Sequence, residues 1–171
     1  MKKRLVFILF VLLAVSSFCF ADGFDIGTSV RTTLVAGETN IAIGLNTAGS
    51  VYFNNFIGIG IFGNISMTLA LIRLPLIADA LVGPVVRIVN TRYFTLPLAI
   101  GVYGYYPLSF QDIPDRKGFK PNIGAGMNIA AQINLGRVVH LYLRVQGAYG
   151  FLNGGEFIVN PSFGVGFDGT R

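Results

Sequence analysis

Residues 122–135 read NIGAGMNIAAQINL, and this stretch decides the fold class. Apolar residues alternate in it with small or polar ones at a period of two, the pattern of a β-strand with two different faces. No helical period of useful length occurs after residue 21. One face carries Ile123, Ala125, Met127, Ile129, Ala131, Ile133 and Leu135, and the other carries Asn122, Gly124, Gly126, Asn128, Gln132 and Asn134.

The same alternation recurs in seven further stretches, so we predict eight strands. They cover residues 24–34, 39–53, 57–69, 80–90, 92–106, 122–135, 138–151 and 157–168. The stretch 80–90 is the weakest, because Leu81, Val85 and Val89 blur the contrast. Most of these strands exceed the average of about 5–6 residues and reach the roughly 9–11 that a tilted strand needs to cross a bilayer. The pattern predicts an all-β protein, an eight-stranded antiparallel up-and-down transmembrane β-barrel.

The predicted connections alternate in length, which is typical of membrane barrels with short periplasmic turns and longer outer loops. Tight turns at 54–55, 90–91 and 136–137 separate longer segments at 35–38, 70–79, 107–121 and 152–156. Residues 70–81 are unusually apolar for a loop and allow three interpretations: an interfacial helix, an extension of the third and fourth strands, or a lid over the lumen. Aromatic residues gather near the strand ends, as in interface girdles; they are Phe24, Phe53, Tyr93 and Phe167 on the periplasmic side and Tyr106, Phe151 and Phe157 on the other.

Composition indicates which face points outward. Apolar residues make up 53% of the chain and charged residues 12%, against roughly 25% charged residues in average proteins. A soluble barrel needs a charged outer face, whereas the polar face here is mostly glycine, asparagine, serine, alanine and tyrosine. This favours an apolar face toward lipid and a narrow polar interior. The alternatives are a soluble eight-stranded barrel and a helical membrane protein built on residues 69–86, a run that Arg73, Pro75, Asp79 and Pro84 interrupt.

Residues 1–21 are predicted to be a signal peptide, which leaves residues 22–171 as the barrel domain. Three basic residues precede an apolar run at 5–15, and small residues lead to a cut after about Ala21. A retained membrane anchor and a lipoprotein cut before Cys19 are the alternatives. Without residues 1–21 the chain keeps ten basic residues, eight acidic ones and no cysteine. We therefore expect no nucleic-acid partner, no disulfide framework and no thiolate metal site.

These features resemble the small outer-membrane β-barrel proteins of the broad OmpX/OmpW/OmpA-like group. The most specific segment is Asn160, Ser162, Val165 and Phe167, which is similar to the C-terminal assembly signal of that group. Ser162 stands where glycine is usual, and a tail at 168–171 follows the aromatic residue. The resemblance implies an outer-membrane location, contact with outer-membrane lipid and recognition by the barrel-assembly machinery. We also expect a monomer.

An eight-stranded barrel encloses a space just wide enough for side chains, so we expect no wide pore. Counting from the turns puts Arg31 and Arg144 near mid-height without a carboxylate at their level, while Asp25 and Asp168 lie at the periplasmic end. Because a buried unpaired charge is costly, these arginines either join a water-filled, hydrogen-bonded plug or give the lumen a weak anion preference. The predicted filling residues are Tyr52, Tyr93, Tyr103, Tyr105 and Tyr142, and the polar lumen candidates are Arg31, Arg87, Arg144, His140, Tyr142 and Gln146.

Neither catalysis nor a cofactor is predicted. His140 is the single histidine, has no serine within two positions on its strand and faces the lumen. With no cysteine beside it, a metal site is not expected either. Recurring glycines at 58, 60, 124, 126, 164 and 166 indicate close packing.

The most polar loop is the best predicted contact with an outside partner, through Asp112, Asp115, Arg116, Lys117 and Lys120. We therefore expect a non-enzymatic outer-membrane barrel with a structural or surface-interaction role. The alternatives are a narrow conduit for small hydrophobic molecules and a lipid-modifying barrel enzyme.

Overall fold

The structure, a computed structural model, describes residues 22–35, 38–68, 76–108, 121–152 and 155–168. The eight predicted strands are confirmed, and most bounds move by only one or two residues. The strands are β1 Gly23–Val35, β2 Glu38–Tyr52, β3 Ile57–Thr68, β4 Leu76–Asn90, β5 Phe94–Pro107, β6 Asn122–Asn134, β7 Val139–Gly150 and β8 Glu156–Asp168.

The strands form one closed antiparallel barrel. Each strand pairs with the next in sequence, and β1 pairs with β8, with Phe24 opposite Phe167 and Leu34 opposite Phe157. Closure gives every strand two hydrogen-bonded neighbours, so no sheet edge is left open. None of the described residues belongs to a helix long and apolar enough to cross a membrane.

The two ends of the barrel differ. At one end, which we call the turn end, residues 53–56, 91–93 and 135–138 make tight turns. The start of β1 and the end of β8 lie at the same end. Asn54 closes the first of these turns, because its side-chain oxygen accepts hydrogen bonds from the backbone N–H groups of Phe56 and Ile57 at 2.8 Å. The opposite end, where β1 continues to β2, β3 to β4, β5 to β6 and β7 to β8, is called the loop end.

Strand β4 is longer than the pattern predicted. It begins at Leu76, which pairs with Met67, and Ile77 pairs with Pro107. Residues 76–81 therefore extend the fourth strand, one of the three interpretations of the apolar stretch, while residues 69–75 lie outside the described residues. The two faces of β4 differ little in polarity because several of its inward residues are apolar, among them the fully buried Leu81 and Val85.

The apolar face of every strand points outward. In β6 and β7 exposed and buried residues alternate along the strand, with the small and polar residues buried. Leu45, Leu143 and Phe163 each leave more than 60% of their surface exposed. A soluble barrel with its apolar face inward is therefore wrong for this chain. Other large apolar residues of the outer face are Ile26, Val30, Ile41, Ile43, Ile59, Val82, Val86, Ile100, Val102, Ile123, Met127, Ile133, Leu141, Val145 and Phe157.

Candidate functional site in the barrel interior

Apolar side chains close the middle of the lumen. Leu81, Val85 and Tyr103 have no measurable exposure, and Phe62, on the otherwise polar face of β3, is 5% exposed. Packing of this kind fills the width of a small barrel and does not leave a channel. The central cluster consists of Ala48, Phe62, Ile77, Leu81, Val85, Ala99, Tyr103, Tyr105, Ala148 and Ile158, with Tyr52 packed against it.

Four of the five predicted filling tyrosines lie inside the barrel. Tyr103, Tyr105 and Tyr142 are buried and Tyr52 is half-buried. The prediction is wrong for Tyr93, which is 68% exposed. Because β5 begins at Phe94, Tyr93 belongs to the preceding turn and does not follow the alternation of the strand.

The recurring glycines make room for inward side chains and for close strand pairing. A Cβ at Gly164 would overlap the Tyr142 hydroxyl and the backbone of β1, and a Cβ at Gly60 would meet the rings and methyl groups of Phe62 and Val85. At Gly166 it would meet His140 and Asp25. Neighbouring atoms also occupy this position at the other glycines of the set, so the close packing predicted from the sequence is confirmed.

On the turn side of the central cluster, Asp25 contacts two basic side chains. Arg144 donates a hydrogen bond through a terminal nitrogen to Asp25 Oδ2, and His140 Nε2 lies 2.8 Å from Asp25 Oδ1. The other ring nitrogen of His140 is 3.6 Å from Asp168 Oδ2, and Gln132 lies 3.2 Å from Nε2. His140 and Arg144 are almost completely buried, so these contacts are shielded from solvent.

Nearer the loop end, among residues of the central cluster, Arg31 and Asp79 form a second buried ion pair. The Arg31 Nε and an Asp79 carboxylate oxygen are 3.3 Å apart, and both side chains are nearly inaccessible. Asn64 donates to the same oxygen at 3.1 Å and accepts from the Ser29 hydroxyl at 2.5 Å. The arrangement therefore joins β1, β3 and β4 across the lumen.

An aromatic ring completes the surroundings of Arg31. Its guanidinium carbon is 4.8 Å from the ring centre of Tyr105, within the range of a cation–π contact. The Tyr105 hydroxyl donates to the buried carboxylate of Glu156. Arg31, Tyr105 and Glu156 therefore extend the polar network toward the loop end.

The prediction that Arg31 and Arg144 lack carboxylates at their level is wrong. Counting residues from one end assumes strands parallel to the barrel axis, but barrel strands tilt by typically 35–45°, so equal counts do not give equal heights. Asp25 thus reaches Arg144 across β8. The sequence pattern places Asp79 in a connection, but the structure has it in β4. Asp79 is an even number of residues from Gly83 and Arg87, so it shares their inward face, and this spacing is the signal that could have revealed it.

The structure places all six polar lumen candidates on the inward face. Beyond the two ion pairs, the Arg87 guanidinium lies 3.5 Å from the ring centre of Tyr52. The Tyr142 hydroxyl donates to Asn46 at 2.5 Å, and Arg144 reaches the same oxygen at 3.4 Å. Gln146 is buried on β7. These contacts form a packed polar plug, since charges, amides and hydroxyls face each other directly.

The partners of His140 are carboxylate and amide groups. These groups orient the imidazole ring, and none of them is a hydroxyl or thiol nucleophile. Among the described residues, its hydrogen-bond and ion-pair partners are Asp25, Asp168 and Gln132. The same part of the chain has no group of three or more histidine, cysteine, aspartate or glutamate side chains arranged to hold a metal ion. The site can therefore hold strands together, and sequence reasoning missed Asp79, Glu156 and Asn64 as members of it.

The predicted assembly signal in β8 and the predicted loop contact are separate from the polar site in the lumen. In β8, Asn160 and Ser162 are buried in the lumen, while Phe167 is exposed on the outer face. The loop residues Asp112, Asp115, Arg116, Lys117 and Lys120 lie outside the described residues, as do residues 1–21.

Comparison with solved structures identifies the fold. No protein-family model matches the chain, and no curated protein matches its sequence. Ail, the attachment invasion locus protein of Yersinia pestis, solved with the heparin analogue sucrose octasulfate, aligns with a TM-score of 0.57 at 17% identity, covering 85% of this chain and 95% of Ail.

Two further barrels show the same likeness. Neisserial surface protein A aligns with a TM-score of 0.65 at 10% identity, covering 85% of this chain and 96% of that protein. The outer-membrane protein OprG of Pseudomonas aeruginosa aligns with a TM-score of 0.54 at 11% identity, over 86% and 96% of the two chains. Together with the closed eight-stranded topology, these likenesses show that the chain has the fold of the small eight-stranded outer-membrane β-barrel proteins.

Proposed function

We propose that this chain is an outer-membrane β-barrel with a structural or surface-interaction role and no catalytic function. The observation that carries the proposal is the continuous outer face of large apolar side chains around a closed barrel. A soluble monomer rarely exposes a contiguous apolar patch of more than a few hundred Å². In a bilayer the same face is satisfied by lipid, and closure satisfies the backbone.

The filled interior supports a role that does not depend on passage through the lumen. Two buried ion pairs tie strands across the barrel: Arg31–Asp79, among the cluster residues toward the loop end, and Arg144–Asp25, nearer the turn end. A conduit for small hydrophobic molecules would have to displace the central cluster and separate these charges. We therefore favour the structural or surface role, and we keep the conduit as an outcome of the test.

The first experiment tests the membrane barrel itself. The full chain is folded into detergent and run on a gel with and without boiling, with circular dichroism alongside, and is then floated with phospholipid vesicles. We expect a heat-dependent mobility shift, a strand-dominated spectrum and flotation. A strand-rich protein that stays soluble without detergent would contradict the proposal.

Conductance separates the surface role from the conduit. In planar bilayers we expect the wild-type barrel to be silent and a variant with a hollowed centre, Phe62→Ala with Leu81→Ala, to conduct measurably. The matched control, Leu45→Ala with Phe163→Ala, truncates side chains of the outer face and should stay silent. Wild-type uptake of a small hydrophobic dye into vesicles would favour the conduit.

The loop end supplies the surface contact in this proposal. Residues 107–121 are the most polar connection, and Arg116, Lys117 and Lys120 there offer cationic side chains to an anionic polysaccharide or lipopolysaccharide. Ail, with the same fold, was solved with a sulfated heparin analogue. We expect the triple glutamine variant at these three positions to bind immobilised heparin and lipopolysaccharide less tightly than wild type. Equal retention of wild type and the triple variant would contradict this contact.

The final strand is proposed to be read by the barrel-assembly machinery. Phe167 lies on the outer face at the end of β8, where such a machinery can reach it. We expect Phe167→Ala to slow the appearance of the heat-modifiable form in cells, and the matched change Phe163→Ala, on the same face of β8, to slow it less. We also propose that the barrel is a monomer. The chain purified in detergent, measured by light scattering with the detergent contribution subtracted, should have the mass of one chain.

A further inference from the structure

Two arginines of neighbouring turns share a cleft at the turn end. Arg92, in the turn between β4 and β5, and Arg137, in the turn between β6 and β7, both line a depression of about 670 Å³. Small-molecule sites commonly have volumes of roughly 300–1,000 Å³. Its other lining residues are Tyr93, Asn134, Leu135 and Gly136.

The cleft is built on a braced backbone. Asn134 donates its side-chain amide to the carbonyl oxygens of Thr91 and Arg92, both at 3.3 Å. Its backbone N–H donates to the Tyr93 carbonyl at 2.9 Å. These bonds join the end of β6, which leads into the turn of Arg137, to the turn that carries Arg92.

The two arginines of this cleft differ in their surroundings from the arginines of the lumen. Among the described residues, no carboxylate lies within ion-pair distance of Arg92 or Arg137, in contrast to Arg31 and Arg144 in the lumen. The Arg92 guanidinium lies 5.5 Å from the ring centre of Tyr93. Two exposed guanidinium groups beside an aromatic ring form a site for an anion, and arginine matches the oxygens of a phosphate especially well.

The apolar residues around the cleft favour an anion that belongs to a lipid over a free anion. Tyr93, Leu135 and Val138 are each more than half exposed, and they continue the apolar outer face down to the two arginines. A ligand that lies along this surface must combine apolar chains with an anionic head. We propose that the cleft binds the phosphate headgroup of an anionic phospholipid in the leaflet at the turn end. This inference rests on the proposed membrane location.

The third turn at the same end provides an internal contrast. The β2–β3 turn also exposes aromatic residues, Phe53 and Phe56, but its remaining residues are two asparagines. Exposed aromatic residues are therefore common to the turns, whereas among the three turns at this end only the cleft carries paired positive charge. The preference for an anionic headgroup is expected to depend on Arg92 and Arg137.

Native mass spectrometry of the full chain in detergent tests the inference, with added phosphatidylglycerol or phosphatidylcholine as probes. We expect wild type to retain phosphatidylglycerol in preference to phosphatidylcholine. Since a basic residue near an anionic bilayer surface changes affinity about fivefold, Arg92→Gln and Arg137→Gln should each weaken retention about fivefold, and the double variant about 25-fold. The control Arg73→Gln removes one positive charge from the segment between β3 and β4 and should retain lipid as wild type does.

Three results would overturn the inference: equal retention of the two lipids by wild type, a loss in Arg73→Gln as large as in Arg92→Gln, or inorganic phosphate binding as tightly as phosphatidylglycerol. The last result would assign the cleft to a free anion. Flotation with phosphatidylcholine vesicles separates a failure of the proposed membrane location from a failure of the proposed lipid cleft. A chain that floats without headgroup preference contradicts only the cleft, whereas a chain that does not float contradicts the membrane location and the cleft with it.

Discussion

Replacing Asp79 by asparagine should strongly destabilise the barrel, because it leaves the charge of Arg31 buried without its partner. Both side chains are almost inaccessible and lie 3.3 Å apart. The new amide can still accept the hydrogen bond of Asn64, so packing and most hydrogen bonding are preserved. What is lost is the compensation of one buried positive charge.

The size of the effect follows from this burial. Removing one partner of a buried ion pair costs about 3–5 kcal/mol in the free energy of unfolding. With a urea dependence of about 2 kcal/mol per molar, the unfolding midpoint of Asp79→Asn should fall by roughly 1.5–2.5 M. The same change at the rim, Asp22→Asn, serves as the matched control. Asp22 accepts the backbone N–H of Tyr52 at 2.8 Å while half-buried, and its replacement should cost about 1 kcal/mol or less.

The assay must suit a chain without tryptophan. Far-ultraviolet circular dichroism and the heat-dependent gel shift both report the folded fraction as urea is raised, on barrels folded into vesicles. Agreement between the two probes supports a two-state analysis.

A double-mutant cycle checks the cause. In an Arg31→Met background no buried cation is left beside Asp79, so the cost of Asp79→Asn should shrink to less than about 1 kcal/mol. The reasoning is refuted if Asp79→Asn costs less than about 1 kcal/mol on its own, or if its cost is the same with and without Arg31.

Three further predictions concern the packed centre of the lumen, the outer face, and the close contact of Gly166 with His140 and Asp25. Phe62→Ala should lower the free energy of unfolding by about 3–5 kcal/mol because it opens a cavity, while Phe163→Ala, which leaves none, should cost clearly less in the same urea titration; equal costs would argue against a packed centre. Leu143→Arg, in the middle of the outer face, should cost about 2–4 kcal/mol in vesicles, and Leu152→Arg at the loop end about 0–1; equal costs would contradict the placement of the outer face in the bilayer. Gly166→Ala should destabilise the fold and change the histidine's nuclear magnetic resonance titration, since a Cβ there overlaps the imidazole and the adjacent carboxylate; an unchanged titration would show that the site tolerates a side chain.

Much of the fold could be predicted because alternation is a local property. Successive side chains of a strand point to opposite faces whatever its neighbours are, so residues 122–135 predicted β6 and its two faces before any pairing was known. Strand lengths and short turns then predicted an even, closed barrel. The prediction was least accurate at β4, where apolar residues on both faces removed the contrast that marks a strand.

The sequence by itself determined eight alternating strands, an apolar outer face and a crowded polar interior. Only the tertiary structure decided which charges meet. Arg31 and Asp79 lie on β1 and β4, which share no hydrogen bonds, and Asp25 reaches Arg144 past an intervening strand. Strand tilt and the closure of β1 on β8 determine which residues share a height in the lumen. This relation belongs to the closed sheet as a whole, so no residue count along a single strand could have given the two ion pairs.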